Sequence, residues 1–340
     1  MSNTTAKTHA LESLLTQAWQ SRGFIACLLL PFSAIFFLII FFRRILYRLG
    51  IFQSTILPVP AIVVGNIFIG GTGKTPLVIW LVSALRAHGY SPGVISRGYG
   101  ARADAVIEVK PDMSAVQTGD EPLLIARKCE VPVFVGRNRV AAAYRLLAAH
   151  PGIDVIIADD GLQHYALGRT MEIQLSDTRG HGNGWLLPAG PLREPVSRRS
   201  DFYVINGGGK SIASADTHRM QIIGTHAEQM IDRQQHFALS SLNDKRVAAV
   251  AGIGYPERFF EMLRSQGVVL ESALALPDHF DFSTNPFVEI KADIILITEK
   301  DAVKCRRIAG IGHDARLWVV PVEASIAGTL AQDILEKLRG

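Results

Sequence analysis

The stretch GNIFIGGTGKTP, residues 65–76, follows directly on the apolar run AIVV at 61–64. Its glycines let the backbone come close to phosphate oxygens, and the amide groups at the start of the next helix point at a bound anion. Lys74 is expected between the β- and γ-phosphates of a nucleotide, and Thr75 is expected to offer its hydroxyl to Mg²⁺. The stretch predicts a phosphate-binding loop between a strand and a helix, formed by Gly70, Gly71, Thr72, Gly73, Lys74 and Thr75.

The loop departs from the strict G-x-x-x-x-G-K-T pattern, because Phe68 stands where the first glycine belongs, and it matches the GGxGKT variant instead. A glycine-rich turn with a chance lysine is the alternative, but the strand pattern before the loop and the helix pattern after it favour phosphate binding. Loops of this kind serve ATPases, GTPases and kinases alike. The acceptor of a phosphoryl group must therefore be inferred from other residues.

A guanine-specific site is disfavoured by the run TEKD at 298–301, which follows the apolar segment DIILI. Guanine-specific folds carry Asn/Thr-Lys-x-Asp at this place, and here Lys300 comes one residue too late. Because that motif works through the spacing of its lysine and aspartate, we interpret the run as evidence against guanine.

Short apolar runs alternate with helical patterns from residue 61 onward. The strand candidates are 61–64, 93–96, 131–135 and 154–158, and the helix candidates are 75–88 and 138–150. Continuous apolar strands separated by helices predict an α/β fold with a P-loop NTPase-like, doubly wound parallel sheet that is covered on both faces.

A second alternation predicts a second, smaller α/β domain. Its strand candidates are 247–253, 293–297 and 317–322, and its helix candidates are 256–266 and 327–338. We therefore expect a P-loop nucleotide-binding domain at 51–205 and a smaller α/β domain with a connecting ribbon at 206–340. They follow an N-terminal region at 1–50, in which an apolar segment predicts a membrane-associated helix.

Residues 24–42, FIACLLLPFSAIFFLIIFF, contain no charged side chain. A helix of that length nearly spans the apolar core of a bilayer, which is roughly 30 Å thick. A cleaved signal peptide is disfavoured because the segment starts late and lacks a small-residue cleavage pattern, and a core helix because the segment is apolar on every face. The segment predicts a membrane helix that is kinked at Pro31, and the sequence leaves open whether it spans the bilayer or lies at its surface.

Charge and cysteine content bound the location and the partners. Arg43, Arg44 and Arg48 outnumber Lys7 and Arg22 on the other flank of the apolar segment, so the large C-terminal part is expected in the cytoplasm, where ATP is. A formal net charge of +4 over 340 residues, without a concentrated basic stripe, disfavours a nucleic-acid partner. The three cysteines show neither metal-ligand nor disulfide spacing, which fits a reducing compartment.

The run IIADDGLQH at 156–164 ends an apolar strand in two aspartates. The carboxyl end of a parallel strand is where a carboxylate can hold Mg²⁺ or position water beside a phosphate loop. A single aspartate there would more often be a solvated loop acid, but a pair after so apolar a run favours metal binding. We expect Asp159 or Asp160 to bind Mg²⁺, and the sequence does not distinguish between them.

Eight motifs occur in one order along nearly the whole chain. They are VVGNIFIGGTGKTP at 63–76, ISRGYG at 95–100, GDEPLLIA at 119–126, DDGLQH at 159–164, GNGWLLPAGPLREP at 182–195, AGIGYPERFF at 251–260, PDHF at 277–280 and TEKDAVK at 298–304. With these motifs and its hydrophobic N-terminus, the chain resembles the tetraacyldisaccharide 4'-kinases, the lipid A 4'-kinases of Gram-negative bacteria. Each motif alone is weak, whereas eight in one order are highly specific.

The resemblance implies that ATP donates its γ-phosphoryl group to the 4'-hydroxyl of tetraacyldisaccharide 1-phosphate, which forms lipid IVA in lipid A (lipopolysaccharide) biosynthesis. It also implies an enzyme at the bacterial inner membrane, with its catalytic domains facing the cytoplasm and in contact with inner-membrane lipids. Because a lipid with four acyl chains does not leave the bilayer readily, the enzyme must come to its substrate, which explains the N-terminal helix. No obligate protein partner is evident from the sequence.

The resemblance further implies which residues carry the chemistry. Asp120 of GDEP would take the proton of the acceptor hydroxyl, with His279 of PDHF coupled to it as a carboxylate and imidazole pair. From the residues alone, a helix-capping Asp120 and a loop His279 are the more economical interpretations. Arg139 would meet phosphate charge as it develops, and Glu194 would lie near the metal.

Two other classes of protein share the loop and the N-terminal helix. A membrane-tethered P-loop ATPase or GTPase switch leaves PAGPLREP, GDEP and PDHF without a role, and Ile69 replaces the lysine that precedes GGxGK in the partitioning ATPases. A nucleotide-regulated membrane scaffold without enzymatic activity is the third hypothesis. ATP turnover separates the three, because a switch hydrolyses ATP without lipid, a scaffold barely hydrolyses it, and a kinase needs its acceptor.

Overall fold

The computed structural model describes residues 15–98, 105–208, 216–242 and 244–340. The strands in these ranges are β1 (Ala61–Gly65), β2 (Pro92–Ser96), β3 (Ile107–Glu108), β4 (Val133–Val135), β5 (Val155–Asp159), β6 (Met171–Asp177), β7 (Phe202–Asn206), β8 (Thr217–Ile223), β9 (His226–Gln229), β10 (His236–Ala238), β11 (Val247–Ala251), β12 (Leu270–Ala275), β13 (Ile294–Thr298), β14 (Leu317–Val320) and β15 (Glu323–Ala327). The helices that position the site are α1 (Phe24–Leu28), α2 (Leu30–Arg48), α3 (Lys74–Ala87), α4 (Ala115–Thr118), α5 (Asp120–Cys129), α6 (Arg139–Ala149), α7 (Pro256–Ser265), α8 (Glu299–Cys305) and α9 (Leu330–Arg339).

The larger sheet has the strand order β15-β8-β7-β6-β1-β5-β2-β4-β3. β1 lies at its centre, and β5 and β6 run parallel to it on either side. Because successive side chains of β1 point to opposite faces, Ile62 and Val64 pack under α3 and α5, whereas Ala61 and Val63 pack under α6. The predicted doubly wound α/β sheet is confirmed.

The smaller sheet has the strand order β10-β9-β14-β13-β11-β12. The last four strands of that order run parallel, and the β9–β10 hairpin joins them antiparallel. Phe259 and Phe260 of α7 pack on one face of the sheet, and Ala302 and Cys305 of α8 pack on the other. The predicted second α/β unit is therefore present.

The C-terminus crosses back to the larger sheet, where β15 pairs antiparallel with β8. α9 then packs on α3 through a core that contains Leu330 and Ile334. The residues that follow 206 therefore contribute strands to both sheets, and the predicted domain bounds stay a prediction. Periodicity shows which segments are strands, but not with which strand each of them pairs.

α1 and α2 are separated at Leu29, next to the predicted kink at Pro31, which lies in the first turn of α2 where a proline is tolerated. α2 is long and apolar enough to cross a membrane, although core helices and signal sequences can be equally long and apolar. Only 6% of its most apolar part is buried. One face of α2 is nevertheless fixed to the larger unit, because Ser33 Oγ donates to the Leu186 carbonyl at 2.8 Å.

Three of the predicted features lie partly or wholly outside the described residues. They are Lys7 of the predicted charged flank, the last two residues of ISRGYG and residues 209–215 of the predicted ribbon.

Candidate active site

The phosphate loop lies between the end of β1 and the start of α3, as the sequence predicts. Gly73 has a φ of 98°, which a residue with a Cβ rarely adopts, and a Cβ there would come within 2.4 Å of the Asn206 side-chain nitrogen. Lys74 opens α3, and its ammonium donates to Asn66 Oδ1 at 3.1 Å and lies 3.5 Å from Asp160 Oδ1. The Lys74 ammonium is therefore held between the side chains of Asn66 and Asp160, which follow β1 and β5.

Asp159 is the last residue of β5 and is 1% exposed. Ser96 Oγ donates to its Oδ2 at 3.1 Å, whereas its buried Oδ1 has no hydrogen-bond partner among the described residues. Burial and the charge of Glu121 raise the pKa of Asp159 to about 7. A cation bound at Oδ1 would offset the unfavourable burial of the ionised Asp159 carboxylate beside Glu121.

Asp160 has a different environment, although it is the next residue. Its φ of 48° turns it out of the strand, and Arg193 Nη1 donates to its Oδ2 at 3.1 Å. Although burial opposes it, the charges of Lys74 and Arg193 hold the pKa of Asp160 below its usual value. The structure thus distinguishes the two aspartates that the sequence leaves equivalent.

Arg139 and Glu194 both lie in the same region. Arg139 opens α6, is 5% exposed, and donates through Nη2 to the Asp160 carbonyl at 3.2 Å, so it supports the backbone of the aspartate turn. Direct contact of Arg139 with a phosphate stays a prediction. Glu194 accepts a hydrogen bond from the Tyr165 hydroxyl at 2.5 Å through Oε1, and its buried Oε2 has no hydrogen-bond partner among the described residues.

Asp120 and His279 lie next to each other, although 159 residues separate them in sequence. His279 Nδ1 lies 3.1 Å from Asp120 Oδ1 and 3.0 Å from Oδ2. Because an ionised carboxylate can only accept, His279 donates through Nδ1–H. Asp120 also opens α5 and accepts from the Glu121 amide at 3.0 Å, so it combines the pairing with a contact to the first helical turn.

The electrostatics of this pair keep Asp120 ionised. Despite burial, the hydrogen bond from His279 and the charge of Lys300 hold the pKa of Asp120 well below its usual range. Burial lowers the pKa of His279, but the hydrogen bond to Asp120 outweighs it and raises that pKa above its ordinary value, against the charge of Lys300. His279 is therefore the member of the pair whose protonation can change near neutral pH.

Two lysines that the sequence interpretation left without a role surround the pair. Lys300 Nζ lies 3.4 Å from His279 Nε2 and 3.9 Å from Asp120 Oδ2, and Lys304 Nζ lies 3.7 Å from the same Oδ2. Both come from TEKDAVK, a motif that supports the family resemblance and argues against a guanine site but indicates no role for its lysines. The available signal was their position on a short helix that directly follows a parallel strand.

The AGIGYP loop of the smaller unit touches the phosphate loop. The approach is so close that a Cβ on Gly254 would lie 2.2 Å from the Gly71 nitrogen. Arg179 donates to the Gly71 carbonyl at 2.9 Å, and its guanidinium lies 4.5 Å from the ring centroid of Phe68 and 4.9 Å from that of Tyr255. Contacts between the two α/β units therefore shape the phosphate loop.

A cavity of about 1140 Å³ joins these groups to the N-terminal helix. The polar part of its lining comes from the phosphate loop, the aspartate turn, Glu194 and His279, and includes Gly70, Gly71, Lys74, Asp159 and Asp160. The lining also includes Phe36, Ile39, Ile40 and Arg43, whose spacing of three, four and seven residues marks one face of α2. A second cavity of about 150 Å³ lies beside the same loop and has an apolar lining that includes Ile79, Ile222, Ile253 and Val322.

A magnesium ion fits the residues present, although no group of three or more His, Cys, Asp or Glu side chains in the described ranges could hold a metal on its own. Mg²⁺ that is bound together with a nucleotide takes one or two carboxylates, with phosphate oxygens and waters as its other ligands. The unpartnered Oδ1 of Asp159 meets that requirement.

Comparisons with known proteins agree with one another. A family model described as Tetraacyldisaccharide-1-P 4'-kinase, LpxK, matches residues 25–339. A Tetraacyldisaccharide 4'-kinase of Janthinobacterium sp. (strain Marseille) is 58% identical over 337 residues, which cover 97% of each chain, and one of Herminiimonas arsenicoxydans is 53% identical over 344 residues, which cover 97% of this chain and 96% of that one. The crystal structure of LpxK from Aquifex aeolicus, described as the "apo" form in complex with ATP, matches with a TM-score of 0.77 and 28% identity over 92% of this chain and 99% of that one.

Proposed function

Because the chain belongs to the family of tetraacyldisaccharide-1-P 4'-kinases, we propose that it transfers the γ-phosphoryl group of ATP to the 4'-hydroxyl of tetraacyldisaccharide 1-phosphate. The product is lipid IVA, in the biosynthesis of lipid A. The observation that carries this proposal is the large cavity, in which the phosphate loop, the aspartate turn and His279 share one space with a face of the apolar helix α2. A lipid kinase needs its donor site and its lipid site in one space, whereas a nucleotide switch does not.

The donor site uses the phosphate loop. The backbone amides of Gly70 to Gly73 and the first turn of α3 receive the phosphates, and Lys74 meets the β- and γ-oxygens once it leaves Asp160. The apolar lining of the second cavity suits the face of the base, since it lies directly beside the same loop.

Mg²⁺, when bound, supplies positive charge to the β- and γ-phosphate oxygens. Asp159 and the Thr75 hydroxyl are the side chains that would hold it, with Asp160 beside them. Asp159 is the stronger candidate of the two aspartates, because Asp160 is already paired with Lys74 and Arg193. Glu194, oriented by the Tyr165 hydroxyl, borders the same cavity and is the further carboxylate available near the metal.

The Asp120–His279 pair removes the proton of the acceptor hydroxyl. As it does so, the 4'-oxygen forms a bond to the γ-phosphorus, and the bond from that phosphorus to the β,γ-bridging oxygen breaks, which leaves ADP. Lys74 and the loop amides stabilise the negative charge on the transferring group. A positioned acid–base pair of this kind is worth about 10²- to 10⁴-fold in rate.

The acceptor lipid enters from the membrane side. The exposed apolar residues of α1 and α2 support a position of this part of the chain at the inner membrane, and the arginines at the end of α2 support the cytoplasmic orientation. Acyl chains lie along the face of Phe36, Ile39 and Ile40, and Arg43 at the end of that face offers a cation to the phosphate-bearing headgroup.

Phosphoryl transfer to the lipid tests the proposal. The purified full-length protein is incubated with γ-labelled ATP and tetraacyldisaccharide 1-phosphate in detergent micelles, and the lipid and aqueous phases are separated. We expect the label in the lipid, only when the lipid is present. Label that stays in ATP, or that appears as free phosphate without lipid, would end the kinase proposal, and the second outcome would favour the switch.

A further inference from the structure

We propose that Lys300 is a positioning residue, which presents Nε2 of His279 as an unprotonated acceptor and yields that atom to the substrate hydroxyl. The inference rests on the proposed function, because it names the atom that takes the proton in that reaction. It assigns a role in proton removal to the TEKDAVK motif, which begins 19 residues after His279 in the sequence.

Lys300 is held by a network of acids around the imidazole. Its side chain is 14% exposed, and its Nζ lies 3.0 Å from Glu121 Oε1, 3.3 Å from Asp278 Oδ1 and 3.4 Å from His279 Nε2. An ammonium group has three N–H donors and no acceptor, so Lys300 donates to Nε2, which must then carry its lone pair. Because Nδ1–H is already directed at Asp120, the two contacts fix one tautomer of the ring.

The start of α8 keeps Lys300 in place. The amide of Asp301 donates to the Thr298 hydroxyl at 3.1 Å, which caps the helix. The Asp301 carboxylate accepts from that hydroxyl at 2.7 Å and from the Gly252 amide at 2.9 Å. Lys300 therefore lies in the first turn of a helix that is hydrogen-bonded to the AGIGYP loop, and that loop contacts the phosphate loop.

His279, and not Asp120, is the member of the pair that meets the substrate. Asp120 is 3% exposed, and both of its oxygens lie within 3.1 Å of Nδ1. His279 has a side chain that is 27% exposed and lines the large cavity. The sequence-based assignment of the base to Asp120 is thereby refined, because Asp120 acts through the imidazole.

Proton removal begins at the substrate hydroxyl, whose proton moves to His279 Nε2. The electron pair of that O–H bond forms the new bond to phosphorus, and the Asp120 carboxylate stabilises the imidazolium. Lys300 turns its donors to Glu121 and Asp278, which already hold it, so its charge is balanced while the imidazolium exists. Before the proton is transferred, the positive charge of Lys300 disfavours protonation of Nε2.

In the described part of the chain, charged groups from three elements act on His279. They are Asp120 from α5, Asp278 from its own loop and Lys300 from α8, while Lys304 lies against Asp120 Oδ2. The two carboxylates favour the protonated ring and Lys300 disfavours it. Replacement of Lys300 by a neutral side chain therefore raises the pKa of His279, and activity that needs a neutral imidazole falls off at a higher pH.

The test compares Lys300→Met, Lys300→Arg and a structural control, Lys128→Met. Lys128 forms a comparable ion pair with Glu299 on the same helix at 2.9 Å, but it does not contact His279 in the structure. For Lys300→Met we expect the acid limb of the kcat/KM profile to move up by about one pH unit, with recovery at high pH. Lys300→Arg keeps the limb in place, and Lys128→Met lowers the melting temperature without moving the limb.

A second readout does not depend on turnover. In protein labelled with ¹⁵N-histidine, the Nε2 resonance of His279 reports its titration, and we expect the midpoint to move upward in Lys300→Met and in the more conservative Lys300→Gln. If the limb and the titration stay in place in folded variants, or move equally in Lys128→Met, the proposal is overturned. Loss of lipid phosphorylation by the wild-type protein would instead count against the proposed function, while the titration would still test Lys300.

Discussion

Asp120 and Asp159 are both buried carboxylates, 3% and 1% exposed, but their surroundings differ. Asp120 has His279 and two lysines within 3.9 Å, and it stays ionised without help from a ligand. Asp159 has one hydroxyl partner and a buried oxygen without a hydrogen bond in the described residues, so its charge is costly until a cation arrives. One carboxylate thus orients a histidine, whereas the other has a free oxygen of the kind that the proposed magnesium site requires.

The coupling of Asp120 and His279 predicts losses that do not add. Asp120→Asn keeps the size of the side chain beside the two partly buried lysines, Lys300 and Lys304, and His279→Ala removes the imidazole ring. Each should lower kcat about 10²- to 10⁴-fold while the affinity for ATP stays near the wild-type value, because neither side chain belongs to the phosphate loop.

The double variant decides whether the two act as one unit. We expect it to be hardly slower than the slower single variant in steady-state assays. Defects that multiply, or that appear mainly in ATP binding, would show that Asp120 and His279 have separate roles.

At the scale of elements, the smaller unit contributes directly to the phosphate site through two loops and one helix. The loop between β11 and α7 presses Gly254 against Gly71, the loop after β12 supplies His279, and α8 supplies Lys300. Each of these segments follows the carboxyl end of a parallel strand, which is where α/β folds place their functional groups. The two units therefore contact each other at the carboxyl ends of their parallel strands, where the site residues lie.

Gly254→Ala should disturb this meeting of the loops. The added Cβ would lie 2.2 Å from the Gly71 nitrogen and 2.9 Å from Asp278 Oδ2, so the AGIGYP loop must move away from the phosphate loop. We expect overpacking to cost about 1–3 kcal/mol in the free energy of unfolding, and the KM for ATP to rise. Gly152→Ala is the control, because a Cβ there has no neighbour within 4 Å.

Equal KM values for ATP in Gly254→Ala and Gly152→Ala, measured with the folded proteins, would contradict this role of the loop contact.

The sequence predicted those elements whose signal is local. The phosphate loop can be predicted from the local sequence, because the strand, the glycines, the lysine and the helix follow one another within 27 residues, from Ala61 to Ala87. β15, with the sequence EASIA, gives only a short alternation, and its pairing with β8 depends on contacts a hundred residues away. Likewise, the approach of His279 to Asp120 came from the family resemblance and not from the residues, since no local pattern encodes a contact over 159 positions.

At the scale of the whole molecule, the chain presents an apolar N-terminal surface on one side of its large cavity. Phe24, Phe32 and Phe42 are 83%, 60% and 58% exposed on α1 and α2. Other residues of α2 attach it to the body of the protein, through Ser33, and line the cavity, at Phe36, Ile39 and Ile40. A helix attached along its length in this way is suited to lie in the membrane interface and to hold the mouth of the cavity at the lipid surface.

Replacement of Phe24, Phe32 and Phe42 by serine should release the protein from membranes. Three exposed aromatic side chains contribute most to partitioning when they are buried in the acyl boundary, and none of them belongs to the phosphate loop. We expect weaker sedimentation with vesicles of anionic phospholipid and a higher KM for the lipid, with unchanged ATP affinity.

Val269 and Val288, 79% and 70% exposed on the smaller unit, supply the control when they are replaced by serine. If the valine variant is released and the phenylalanine variant is retained, the membrane surface lies on the smaller unit instead.

In the proposed function, one cavity couples ATP cleavage to a single hydroxyl of the lipid. The most direct measurement is the ratio of ADP formed to lipid phosphorylated, with the natural acceptor and with a 4'-deoxy acceptor, and with Lys74→Ala as the inactive reference. We predict one ADP for each phosphorylated lipid, and no ADP above the Lys74→Ala background when the 4'-hydroxyl is missing. ADP formed at an undiminished rate with the 4'-deoxy lipid, or with no lipid, would contradict the account, because ATP cleavage would then not depend on the acceptor.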